Sequence, residues 1–373
     1  MKILVINWQD IKNPLGGGAE VHLHEIFSRL AKRGHDVTLL TSAFDGATEE
    51  ETIDRIRTIR KGNRNLFNFY VRRMYNNLRR ENKFDVVVDD INKIPFFTPV
   101  FVKEPLVGIA LHFFGKTIYK ETNPVFASYV YLTERLVPAI YRQIPFATIS
   151  ESTQLEMVAN GFSKDKIEII PTGVDTALYN MNVPSPPQDH PIVGYLGRIK
   201  KYKSVDHLIV AFAKIAAEFP KVEMIIVGDG DNLDDLKALA DKTGFSSRIT
   251  FTGKVGEEEK VRQMRRMTFL VNPSAKEGWG LTVIEANACG KTVIAADVPG
   301  LRDSVVDNRT GLLYIYGDTN HLTEKMKLLL TNPQLRCDLE REAIQWAANF
   351  TWDIAADKME RLLEKAVLDF HRK

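Results

Sequence analysis

Apolar and polar positions alternate in blocks along nearly the whole chain. Short apolar runs at 2–7, 36–42, 84–89, 106–111, 146–150 and 167–170 have the length and type of buried strands. Between several of them the apolar residues fall at helical spacing. Val21, Leu23, Ile26, Phe27 and Leu30 mark a helix over 19–33 that Gly34 ends, and Leu66, Phe67, Tyr70, Val71, Met74 and Leu78 mark another over 65–83. A third helix is expected over about 124–142, while 43–62 is polar apart from one strand-like stretch near 53–59. The pattern breaks at 181–191, MNVPSPPQDHP, whose four prolines give it the composition of a linker. Strands then resume at 192–196, 222–227, 249–251, 269–271, 292–296 and 311–314, alternating with helices at 203–219, 233–243, 257–267 and 281–288. Helices near 320–330 and 333–349 follow, and 351–373 forms one amphipathic helix on Trp352, Ile354, Ala355, Met359, Leu362, Leu363 and Val367. This alternation predicts two α/β domains built on parallel sheets.

Length supports the same division, because 373 residues exceed the size at which one core usually keeps growing. A hydrophobic content of 44% with 26% charged residues is that of a globular protein in water. The net charge of +2 gives no reason to expect a nucleic-acid partner. No apolar run approaches the roughly 18 residues that span a bilayer, and MKILVINWQD enters a strand directly, with no signal-peptide core. Cys289 and Cys337 lack metal-ligand spacing and suggest a reducing compartment. The expectation is a cytoplasmic protein, peripheral at most to the cytoplasmic membrane face.

Candidate chemistry centres on 268–290, TFLVNPSAKEGWGLTVIEANACG. A strand, a Gly-containing loop and a helix start point backbone N–H groups at an anion, and two carboxylates, Glu277 and Glu285, bracket that loop. In the first half, Gly16-Gly17-Gly18-Ala19-Glu20 links a strand to a helix. It is not a dinucleotide fingerprint, since Val21 stands where that pattern needs glycine, and a purely structural turn is the alternative. In the second half, Gly197 at a strand end leaves room for a phosphate, Arg198 offers a bidentate fork and Lys203 a point charge. A solvated basic turn containing Lys200, Lys201 and Lys203 is the plain alternative. Gly228-Asp229-Gly230 forms a tight turn at the end of the next strand, on the side where open α/β sheets bind ligands.

Taken together, GGGAE (16–20), GRIKKYK (197–203), GDG (228–230) and EGWGLTVIE (277–285) resemble the family-four retaining glycosyltransferases of the GT-B fold, in order and spacing across nearly the whole chain. Ser204 stands where that family commonly has glycine, and Val298-Pro299-Gly300 where a Gly-Gly turn is common. The resemblance implies two Rossmann-like α/β/α domains facing each other across a cleft. It implies an acceptor-side domain over 1–183 completed by the helix 352–373, a linker at 184–191, and a nucleotide-sugar-binding domain over 192–351. Arg198 and Lys203 would hold the donor's diphosphate with Gly197, Gly228, Gly230 and the backbone of Gly280, Leu281 and Thr282. Glu285 would accept from the ribose and Glu277 from the transferred sugar. Gly17 and Gly18 would lie against the diphosphate, and His112 near the sugar on the acceptor side. The implied reaction retains anomeric configuration with the leaving phosphate as base. No cofactor and no metal are expected, because no Asp-x-Asp stands in a metal-binding context.

The donor would be a UDP-, GDP- or ADP-linked sugar, and the acceptor a hydroxyl of a glycan, a lipid-linked species or a small molecule. Segment 54–83 carries ten basic residues against Asp54 and Glu81. With an aromatic stripe between Arg72, Arg73, Arg79 and Arg80, the helix at 65–83 could lie on anionic lipid; a core-facing helix with a solvated basic face is the other reading. A nucleotide-sugar epimerase and a non-catalytic nucleotide-sugar-binding pseudoenzyme are the alternative functions. The complete set of charged positions fits transfer better than either.

Overall fold

The computed structural model describes residues 1–91, 94–111, 113, 115–120, 122–182 and 189–372. Two compact units emerge: Met1–Gly173 with Trp352–Lys373, and Val174–Thr351. The core of the proline-dense stretch, 183–188, lies outside the described residues, as does His112.

The first unit is built on an eight-stranded sheet. Its strands are β1 (Lys2–Ile6), β2 (Asp36–Thr41), β3 (Glu50–Ile53), β4 (Ile56–Arg60), β5 (Val86–Asp90), β6 (Leu106–Ile109), β7 (Phe146–Thr148) and β8 (Ile167–Ile169). The order is β3-β4-β2-β1-β5-β6-β7-β8, and every pairing is parallel except β3 with β4. β1 is buried on both faces from Ile3 to Ile6, as a central parallel strand requires. Around the sheet lie α1 (Gly18–Lys32), α2 (Phe67–Glu81), α3 (Pro124–Tyr141) and α4 (Glu151–Ala159). Trp8, Phe67, Val71, Tyr75 and Phe96 form part of one core cluster, and Val137, Tyr141, Phe146, Met157 and Phe162 part of another.

Two local readings need correction, and one helix, α4, is added by the structure. The single strand near 53–59 is a hairpin, β3 and β4, turning through Asp54 and Arg55 at φ of 46° and 70°. Such a turn usually announces itself with glycine or asparagine, and here it does not. The helix α4 has little apolar periodicity, since its buried residues are Thr153, Gln154 and Met157; the Ser150 hydroxyl caps it by accepting from Thr153 N at 3.1 Å. On α2 the buried stripe is Phe67, Val71, Tyr75 and Leu78, so Leu66 and Tyr70 turn outward. Phe69 is 71% exposed.

The second unit holds β9 (Ile192–Leu196), β10 (Glu223–Val227), β11 (Ile249–Gly253), β12 (Phe269–Asn272), β13 (Val293–Ala296) and β14 (Gly311–Tyr314). They form a parallel sheet of order β11-β10-β9-β12-β13-β14. Its helices are α5 (Val205–Glu218), α6 (Leu233–Thr243), α7 (Glu257–Arg266), α8 (Leu281–Ala288), α9 (Leu301–Ser304), α10 (Thr319–Thr331) and α11 (Pro333–Ala347). α5 shows why they pack: Leu208, Ile209, Phe212, Ile215 and Ala216 line one buried stripe. Segment 174–182 belongs to this unit, because Val174 N donates to Phe350 O at 2.8 Å and Tyr179 is buried there. The last helix, α12 (Trp352–His371), returns to the first unit and packs on α1, β5 and β6. Among the described residues no helix is long and apolar enough to cross a membrane.

Candidate functional site

In the second unit the strand order changes direction beside β9: β10 lies on one side of it and β12 on the other. Loops leaving the carboxyl ends of parallel strands at such a switch point form a crevice, the usual ligand site of open α/β sheets. The loops here are 197–204 after β9, 228–232 after β10 and 273–280 after β12.

The first two loops run backbone against backbone. Gly197 N donates to Val227 O at 3.0 Å and Ile199 N to Asp229 O at 2.8 Å. A Cβ on Gly228, whose φ is 143°, would stand 1.9 Å from Gly197 O. Glycine is therefore what lets this contact form, and the contact fixes Gly197 and Arg198 at the strand end. Arg198 is exposed, and its carbonyl accepts the Tyr195 hydroxyl at 3.0 Å. Burial, reinforced by Glu277, pushes the Tyr195 phenol above its usual pKa, so it remains a donor. The Lys200 ammonium is engaged by Asp231 at 2.5 Å.

The loops after β9 and β12 meet through Ala275 N, which donates to Tyr202 O at 2.8 Å. Beside this link Lys203 and Glu277 form an ion pair, with side chains only 14% and 17% exposed. The Ser274 hydroxyl lies 2.8 Å from both Glu277 Oε1 and Asn272 Oδ1, which fixes the carboxylate from a second side. Gly300, at φ 83°, presses against the same loop: a Cβ there would come within 2.2 Å of Glu277 O. Gly280, at φ 85°, starts α8, which carries no side-chain cap among the described residues. The helix start thus offers the backbone N–H groups of Leu281 and Thr282 to an anion.

Glu285 lies one turn further along α8 and is 4% exposed. Lys260 on α7 donates to its Oε1 at 2.8 Å, while Oε2 has no hydrogen-bond partner among the described residues. Burial raises the Glu285 pKa against the pull of Lys260. Burial also works against the Lys260 ammonium, but Glu285 and Glu257 outweigh it and hold its pKa above the ordinary lysine value.

The fold therefore gathers Gly197, Arg198, Lys203, Gly228, Gly230, Glu277, Gly280, Leu281, Thr282 and Glu285 on one sheet edge and its adjoining helix. Gly17 and Gly18 sit in the other unit, where Gly17 caps α1 and its N–H donates to Glu20 Oε2 at 2.7 Å. The loop leading to them is anchored by Asp10, whose buried carboxylate accepts from Arg60 Nε at 2.7 Å and Lys12 N at 2.8 Å. Lys260, Ser274, Tyr179 and Arg60 escaped the sequence reading. Lys260 and Arg60 lie among many charged neighbours, and nothing in their spacing marks which charges turn inward. Among the described residues no group of three or more His, Cys, Asp or Glu side chains is arranged to hold a metal ion.

Comparison with known proteins bears on the fold and the family. The model for glycosyl transferases group 1 matches residues 180–346, and that for Glycosyltransferase Family 4 matches 16–178. A D-inositol 3-phosphate glycosyltransferase of Nocardia farcinica is 32% identical over 238 residues, 60% of this chain and 52% of the relative. The chain thus spans about half the length of the curated relatives it matches. Sucrose-phosphate synthase from Thermosynechococcus elongatus superposes with a TM-score of 0.83 at 21% identity, over 98% of each chain. The Anabaena protein Alr3699/HepE, solved in complex with UDP-glucose, gives a TM-score of 0.76 at 19% identity, over 98% of this chain and 100% of that one. These two share the fold, two Rossmann-like α/β units of the GT-B class. With both family models matched in succession, the chain belongs to the group-1, family-four glycosyltransferases.

Proposed function

We propose that this protein transfers a sugar from a nucleotide-diphosphate donor to an acceptor hydroxyl, with retention at the anomeric carbon and without a metal ion. The Lys203–Glu277 ion pair carries this reading. It puts a phosphate-binding cation and a hydroxyl-accepting carboxylate in contact, as neighbouring parts of one ligand, a diphosphate and the sugar it bears, require. Arg198 and the uncapped start of α8 add donors for the charge that builds on the leaving phosphate, a stabilisation that acts where it is needed most. The bond from the anomeric carbon to the diphosphate oxygen breaks, the acceptor oxygen bonds to that carbon on the same face, and its proton passes to the leaving phosphate. Glu285 accepts from the ribose through Oε2, an atom with no hydrogen-bond partner among the described residues. Roles for Gly17, Gly18 and His112 against the donor rest on the family resemblance. That HepE was solved with UDP-glucose favours a uridine donor among the three considered.

A thermal-shift panel of UDP-, GDP- and ADP-sugars tests the donor half, since a ligand at about 100 times its Kd stabilises by roughly 2.7 kcal/mol. One donor class is expected to raise Tm, and no shift with any of them overturns the reading. Product analysis with the active donor separates the alternatives: an isomerised nucleotide sugar formed without acceptor means epimerisation. EDTA is expected to leave turnover unchanged; loss of activity that Mg²⁺ restores removes metal independence.

A further inference from the structure

We propose that Lys260 is a positioning residue of the donor site, holding the buried Glu285 carboxylate charged and in register so that its second oxygen reads the ribose diol. The inference rests on the donor reading above and adds to it a residue that never touches the donor.

A carboxylate as deeply buried as Glu285 pays a large desolvation cost unless a cation compensates it. Lys260 reaches it from a different helix, with Nζ 2.8 Å from Oε1 and the two side chains 16% and 5% exposed. The Lys260 ammonium is itself held from two further sides. It lies 5.1 Å from the centroid of the Tyr179 ring, within reach of the negative ring face, and 3.4 Å from Glu257 Oε2. The Tyr179 hydroxyl donates to that same Glu257 oxygen at 2.5 Å. Segment 174–182, α7 and α8 thus converge on one cation shared between two carboxylates. The groups facing Glu285 are Lys260, Glu257, the Tyr179 phenol and the Cys289 thiol on its own helix.

The arrangement divides the two carboxylate oxygens. Oε1 is occupied by Lys260; the Tyr179 hydroxyl also lies against the carboxylate but gives its one proton to Glu257, so Oε2 is a buried acceptor with no hydrogen-bond partner among the described residues. A vicinal diol supplies the O–H donors such an oxygen lacks. Were Glu285 protonated, it would present a hydrogen in place of a lone pair, and one of those contacts would become a clash of donors. Burial drives the group toward protonation, and Lys260 opposes it. A cation serving only to tie α7 to α8 would be indifferent to the ribose.

The test is calorimetric titration of the full chain with a nucleoside diphosphate and with its 2′,3′-dideoxy counterpart, between pH 5.5 and 8.5. Wild type, Lys260→Met, Lys260→Gln and Lys260→Arg are compared. Wild type is expected to prefer the ribose form by about tenfold or more, the scale of a hydrogen bond to a charged group. Lys260→Met is expected to lose most of that preference while its affinity for the dideoxy form stays within about twofold. The acid limb of ribose-form binding moves to higher pH, and Lys260→Arg restores most of the preference. If Lys260→Met does not melt cooperatively, Lys260→Gln, similar in length but uncharged, is expected to show the same pH displacement. Equal weakening of both ligands, or a wild-type preference with an unmoved pH profile in the uncharged variants, overturns the proposal. A wild-type protein that binds neither nucleotide overturns the donor reading itself, an outcome distinct from either of these.

Discussion

Glu277 and Glu285 stand eight positions apart in sequence and meet different cations, Lys203 and Lys260. The difference in exposure matters as much: the Glu277 side chain, on a loop, is 17% exposed, whereas Glu285, on a helix, is buried. Glu277→Gln keeps the shape but frees Lys203 from its counter-charge. It is expected to lower kcat by about a hundredfold while donor affinity changes only a few-fold. Glu285→Ala is expected to weaken donor binding by about tenfold or more, with a smaller effect on kcat at saturation. Steady-state kinetics with direct donor titration checks the split, and equal effects on both parameters in both variants would contradict it. His22 carries a prediction of another kind. It is wholly buried on α1, 6.1 Å from the Trp352 ring, and burial lowers its pKa to about 4. Between pH 6.5 and 4 the unfolded chain takes up a proton that the folded chain refuses, so stability from this group is present above pH 6.5 and falls as pH drops. The full effect is about 3 kcal/mol. Asp89, buried beside Tyr141 and Thr98 with its pKa raised to about 6, acts in the opposite sense over a similar range. The readout must therefore be a difference: in urea denaturation, His22→Phe is expected to gain on wild type as pH falls from 6.5 toward 4. A pH-independent difference removes the assignment.

Elements were legible where local chemistry and tertiary use agree. β1, α5 and the helix that became α12 carry their burial pattern openly, and the glycines after β9 and β10 mark loops that must touch. Gly228→Ala is expected to destabilise the second unit by at least 1–3 kcal/mol, because the added carbon meets a backbone oxygen and φ is positive. Gly244→Ala, with φ 77° and open space around it, is the matched control for backbone strain alone. Comparable melting temperatures for the two variants would show that the loop contact is not what requires glycine. Ser204 gives the reason for a departure noted in the sequence. It sits at φ 50° at the start of α5, a left-handed conformation in which glycine is at ease, and its hydroxyl lies 3.0 Å from that of Tyr316. The hairpin through Asp54 and Arg55 was illegible because arginine stands where a glycine would usually follow the aspartate, and α4 because its buried face is largely polar. The site was half legible. Cations and carboxylates beside glycines could be read from spacing, but Lys260 acts through a contact between two helices, which no local pattern encodes.

At the scale of the molecule, the first unit presents a surface that is both basic and apolar. Phe69, Arg72, Arg73, Asn76, Asn77 and Arg80 line the outward face of α2. Asn68 Nδ2 donates to the Tyr129 hydroxyl at 3.2 Å, so α3 lies alongside, with Val125, Leu132 and Leu136 exposed. Arginines next to uncovered apolar side chains suit an anionic lipid surface, each basic residue contributing about 1 kcal/mol close to it. Flotation with anionic vesicles at low salt is expected to carry the protein upward, and high salt or the triple change Arg72→Glu, Arg73→Glu, Arg80→Glu to release it. No flotation of wild type rules this surface out as a lipid contact. The return of α12 to the first unit has a separate bearing on how the molecule is made. Residues 1–173 leave the ribosome before the second unit, but Ala356, Met359 and Leu363, all buried in the finished unit, follow only after the whole of Val174–Thr351. The second unit is uninterrupted in sequence and can close its sheet as soon as it emerges. The half synthesised first is therefore the last to be completed, and until α12 arrives it holds an unsealed apolar face open to chaperones.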